Sequence, residues 1–182
     1  MAKWLVKTEG TTPLLMHKFI GIAEAKTAKE KPDQAQAEAF AYRGKHGELC
    51  VPARNMRSCI VEGFVSSAGA KMKTSTKMSV APRIRVTGAD GDPLNIPLNV
   101  DTYEIDRQSA FSGSRNAGVR DWCIRPIIPE WAVKFTLDEG LGIDEKELLY
   151  KLNFAGGDVG VLSNRPNGYG RFKVVSLEKL KQ

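Results

Sequence analysis

The chain has 182 residues, 42% hydrophobic and 26% charged, which is the composition of a globular protein and excludes disorder, collagen or coiled coil over its whole length. No apolar run approaches the ~20 residues needed to cross a bilayer, and residues 1–7 lack the apolar core of an export signal, so the expected location is the cytoplasm. The net charge is +6, and long stretches carry bases without acids: residues 63–89, 107–120 and 159–177. Such segregation suits a surface that follows phosphates. Cys50, Cys59 and Cys123 form no CxxC pair, and there are only two histidines, His17 and His46. That set gives a metal site little support, so free thiols and no metal or cofactor are expected.

Residues 2–8 read as a strand, with Trp4 and Val6 on one face. Gly10 and Pro13 end it, and an apolar stretch, residues 14–22, follows, carrying His17 and Lys18. Residues 26–31 read as a mobile loop, with a helix starting at Pro32 and Asp33. Residues 42–51 read as a hairpin turning at Gly44 to Gly47. The clearest helix is 52–68, where Met56, Ile60 and Phe64 fall at i, i+4 and i+8. Arg54 and Arg57 share a face near its start. The basic run 71–78 reads as flexible, and 79–86 as an edge strand interrupted by Pro82. Short strands are expected at 96–100 and 102–106, then a polar loop at 107–118. Strands at 119–128 and 130–137 should bury Trp122, Ile124, Trp131, Val133 and Phe135. Asp144 and Glu147 have the spacing of a capping box for a helix whose apolar face is Leu148, Leu149 and Leu152. Gly156 and Gly157 should end that helix, a glycine-rich loop runs over 160–170, and 171–177 is a final strand. The order gives an α+β fold, an antiparallel ferredoxin-like sheet with two main helices and inserted loops.

The loop closes with Arg165, Tyr169, Gly170, Arg171 and Phe172. Its glycines let backbone N–H groups approach a phosphate, its arginines add charge, and its aromatics add stacking faces. No GK[ST] follows and the order is helix then strand, which excludes a P-loop and a dinucleotide fingerprint. The loop resembles the C-terminal glycine-rich loop of the RAMP superfamily, the RRM-like proteins of CRISPR effector complexes. Residues 12–17 resemble that family's small-Pro-Leu segment after the first strand. Residues 49–57, with Pro52, Ala53 and Arg57, resemble its strand-to-helix entry, with Ala53 where the family often has Gly. The chain is also similar to phage and prophage proteins that share these landmarks.

The resemblance implies one RAMP-like domain over 1–182, with 88–118 as a thumb-like insertion. It implies a non-catalytic subunit that oligomerises along single-stranded RNA, as in an effector backbone, with a role in antiviral defence. With the charge pattern, it gives His17, Lys18, Arg54, Arg57, Lys71, Lys73, Arg115, Arg165, Tyr169 and Arg171 as candidate RNA-binding residues. The residues alone leave RNA and single-stranded DNA equal. Two other readings stay open. One is an endoribonuclease using His17, His46 or Asp33. The other is a phage structural protein without nucleic acid.

Overall fold

A computed structural model of the chain describes residues 2–67, 74–111 and 120–181. In chain order the elements are β1 (Ala2–Gly10), β2 (Leu14–Leu15), α1 (Ile22–Lys29), α2 (Asp33–Ala39), β3 (Cys50–Pro52), α3 (Ala53–Ser66), α4 (Thr74–Val80), β4 (Ile84–Gly88), β5 (Asn95–Pro97), β6 (Glu104–Phe111), β7 (Arg120–Ile128), β8 (Ala132–Glu139), α5 (Glu145–Phe154) and β9 (Phe172–Lys179). Four strands form the main sheet in the order β4-β8-β1-β9, with every pair antiparallel. With α3 between β1 and β4, and α5 between β8 and β9, this is the ferredoxin-like β-α-β-β-α-β arrangement. A second sheet, β2-β7-β6, extends as a ribbon, and β3 pairs with β5.

The core follows from the two periodicities. On β1, Trp4, Val6 and Thr8 are buried and Lys3, Lys7 and Glu9 alternate outward. On α3, Met56, Ile60 and Phe64 are all buried, the stripe that the i, i+4, i+8 spacing predicts. Each such side chain contributes about 1.5–3 kcal/mol by leaving water. Asp144 caps α5, accepting a hydrogen bond from the Glu147 amide at 2.7 Å. Leu148 and Leu152 are buried there, but Leu149 is turned outward, about 100° away on the helix.

Several expectations are corrected. Most of residues 26–31 is not a loop: α1 runs through Lys29, since the Ala and Lys of that stretch are good helix formers, and only Glu30 and Lys31 form the turn before Pro32. In the basic run, residues 74–80 form α4, packed against α3, while 68–73 lie outside the described residues. The strand expected from 79 begins only at Ile84, because residues 81–83 with Pro82 make a 3₁₀ turn; β4 is nevertheless a sheet edge. Residues 107–111 continue β6 and pair with β7. Gly156 and Gly157 do not end the helix, which continues as one π-helical turn, Ala155–Val159. Gly156 is required there because a Cβ would collide with the Phe172 carbonyl. Trp122 is 65% exposed instead of buried. It lies on the ribbon opposite Ser109, beyond the reach of the main core.

Candidate nucleic-acid interface

The outer face of the main sheet is where an RRM stacks RNA bases on aromatics. Here that face carries Lys3, Leu5, Lys7 and Glu9 on β1, and Lys134, Thr136 and Asp138 on β8, with no aromatic among them. Two ion pairs cross it, Lys7 with Glu178 at 3.7 Å and Lys173 with Glu9 at 3.6 Å. With Arg85 of β4, and Lys173 and Glu178 of β9, it is a mixed-charge face with a slight basic excess and no aromatic among these residues.

The opposite end is built around residues 12–20. The Trp131 indole donates to the Thr12 carbonyl at 2.9 Å. The Gly170 amide donates to Pro13, Ser163 to Leu15, Met16 to Pro126 and Lys18 to Phe40. One segment thus joins the glycine loop, the ribbon and the end of α2. Leu14, Leu15 and Met16 are fully buried; His17, Lys18 and Phe19 then emerge at the surface.

The glycine loop is held tightly by its own chain. Thr12 Oγ1 donates to the Gly168 carbonyl at 2.7 Å and accepts from the Arg171 amide at 2.9 Å. Gly170 sits at φ +69°, and a Cβ there would strike the Val161 carbonyl. Leu162 and Asn164 are also left-handed, at φ 64° and 60°. For Leu that conformation costs about 1–3 kcal/mol, held in place by the surrounding bonds. Arg165 pairs with Glu62 of α3 at 3.1 Å. Arg171 Nη2 donates to the Arg165 carbonyl at 3.1 Å, while its buried Nη1 has no acceptor among the described residues. Tyr169 accepts a hydrogen bond from Gln108 at 3.2 Å. Gln108 belongs to a network in which Arg125 Nε donates to Asp106 at 2.9 Å and Arg125 Nη2 to Gln108 at 3.0 Å. This network ties the base of the ribbon to the loop.

Arg57 turns inward, donating from Nε to the Ile84 carbonyl at 2.8 Å and from Nη2 to Ala81, and so fastens α3 to β4. Arg54, three residues earlier, faces a groove of about 350 Å³ whose walls include Lys18, Phe19, Tyr42, Pro52 and Leu94. Among the described residues neither Lys18 nor Arg54 forms an ion pair. Arg43, on the same groove, is held by Glu38 through two hydrogen bonds of 2.8 and 2.9 Å. That contact keeps the Glu38 carboxyl below the usual range. Lys71, Lys73 and Arg115 lie outside the described residues.

The groups weighed for catalysis lie in different surroundings. Asp33 is ion-paired with Arg107 of the ribbon, and His46 is exposed in the turn between Gly44 and Gly47. The His17 ring packs edge-on against Phe40 at 4.7 Å and lies 3.9 Å from Cys123 Sγ. Desolvation, and then the Arg125 charge, lower its proton affinity. Burial pushes the thiols of Cys50 and Cys59 up to about 11 and about 12, so neither is a thiolate near neutral pH. The residue that sequence reasoning passed over is Phe19, 89% exposed at the end of an apolar stretch that otherwise reads as core.

No family model matches the chain and no curated protein matches it. Among solved structures it is similar to a chain of the Type III-B Cmr-beta complex bound to cognate target RNA, with a TM-score of 0.61 and 9% sequence identity. The match covers 99% of this chain and 61% of that one, so this chain spans under two thirds of its neighbour's length. At that identity the likeness is one of fold: the ferredoxin-like core is shared.

Proposed function

We propose that this protein is a non-catalytic RNA-binding subunit of a CRISPR-type effector, assembling with further copies along single-stranded RNA. The observation that carries this reading is the placement of Lys18 and Arg54, two cations without an acid partner among the described residues, on one groove at the start of α3. The whole-chain likeness to a subunit of an RNA-bound complex supports it. In this reading Lys18 and Arg54 hold phosphates, and the start of α3, which has no side-chain cap and whose Ala53 amide is taken by the Leu94 carbonyl at 2.8 Å, adds a positive dipole end. Arg57, Arg165, Tyr169 and Arg171 keep the surrounding backbone in shape, and His17 lines the approach. The β6–β7 ribbon, which includes part of residues 88–118, is the thumb that reaches toward a neighbouring copy.

The test is binding of a labelled single-stranded RNA across a salt series. Affinity should fall steeply with salt, and Arg54→Glu should lower it at least tenfold and flatten the log–log slope by ~0.7, the value for one phosphate contact on a single strand. Binding that ignores salt, or an Arg54→Glu variant that binds as well as the parent, would overturn the proposal. Preference for DNA of the same sequence would move it to a single-stranded DNA binder.

A further inference from the structure

Phe19 is a large apolar ring left 89% exposed, although Leu14, Leu15, Met16 and Ile20 around it are all buried. It serves no core. It stands on the groove that holds Lys18 and Arg54, and Leu94, itself 70% exposed, lies on the same groove. Pro52 and Pro93, with fixed φ, contribute rigid walls. From this arrangement we infer that the groove is a nucleobase seat, in which Phe19 stacks on one unpaired base while Lys18 and Arg54 hold the phosphates beside it. The inference rests on the RNA-binding reading and adds to it a specific stacking residue.

The chemistry fits a nucleotide better than a protein segment. A groove of about 350 Å³ lies at the small end of ligand sites, which span roughly 300–1,000 Å³. Its exposed apolar surface is essentially Phe19 and Leu94, far short of the ~800 Å² each partner gives to a stable protein interface. The cations at its rim, without an ion pair among the described residues, complement phosphate, and every base offers a π-face to a ring. The seat should accept any base. Its polar edge is already used: Asn95 Oδ1 accepts from Cys50 Sγ at 3.5 Å, Asn95 Nδ2 donates to Asp92 at 3.4 Å, and the Tyr42 hydroxyl donates to the His17 carbonyl at 3.4 Å.

The experiment measures anisotropy of labelled 12-nucleotide oligo-U and oligo-A with the full chain and three variants, Phe19→Leu, Phe19→Trp and Arg54→Glu. Phe19→Leu keeps apolar bulk but removes the π-face, and because the ring is exposed the variant should fold, which circular dichroism checks. Expected is a roughly tenfold loss with Phe19→Leu on both oligonucleotides. Phe19→Trp should bind within about twofold of the parent, with RNA-induced quenching of indole emission beyond that of the parent. If Phe19→Leu binds as the parent does while Arg54→Glu fails, the RNA reading stands and the base seat falls. If the parent binds no RNA, both fall. Should Phe19→Leu leave RNA affinity unchanged but abolish self-association, the groove takes a second copy and the inference is overturned.

Discussion

The glycine loop and the Lys18–Arg54 groove lie on the two sides of the same segment, residues 12–20, and differ in what their charges are doing. In the loop, Arg165 has its carboxylate and Arg171 its carbonyl, and Thr12 bonds to the chain on both sides. In the groove, Lys18 and Arg54 have no acid partner among the described residues. A stretch without acids in sequence is therefore not a stretch without acids in space. Run 159–177 is acid-free, yet Glu62 reaches Arg165 and Glu9 reaches Lys173; run 107–120 is acid-free, yet Asp33 reaches Arg107. The richest motif forms a scaffold, and the plainer segment offers the free charge.

The contrast can be broken most directly at Gly170. Gly170→Ala combines a left-handed φ with a clash against Val161, and should cost about 3 kcal/mol in chemical denaturation. If the loop were a loose ligand-gripping element, stability would hardly move and RNA affinity alone would fall. A smaller effect is expected from Glu62→Gln, which releases Arg165 from a partly exposed ion pair. Its stability loss should stay under ~1 kcal/mol, while RNA affinity should rise in the same salt series, since a tethered cation becomes available. Unchanged affinity would mean that the loop is remote from the strand. The smallest effect concerns His17. Its folded pKa lies below the ordinary value of about 6.5, so the unfolded chain binds the extra proton. Stability from this group is complete above about pH 6.5 and declines as pH falls through that value toward the folded pKa. His17→Gln should flatten that part of a denaturation-versus-pH curve, and an unaltered curve would show that the imidazole is solvated.

Much of the fold was legible because it rests on local repetition. The α3 stripe, the Asp144 cap and the alternation on β1 each need only a few neighbouring residues, and the strand and helix order they produce suffices for the ferredoxin-like arrangement. Elements whose stability comes from distant partners were not legible. The strand character of residues 107–111 comes from β7, and composition there points to a loop. Glu62 and Arg165 are 103 positions apart, and no window reveals their pairing. Phe19 was hidden for the opposite reason: an apolar residue in an apolar stretch carries no mark that it faces water.

The segment 12–20 also dictates when the groove can exist. Thr12 takes its bonds from Gly168 and Trp131, 156 and 119 positions away. Contacts of such separation form late, after most of the loop-closure entropy has been lost. On a ribosome, residues 12–20 therefore wait until the glycine loop has emerged before they are fastened. Until then a nascent chain carries Lys18 and Arg54 without the framework that sets them side by side. The order in which the chain emerges thus sets when this part of the surface takes shape.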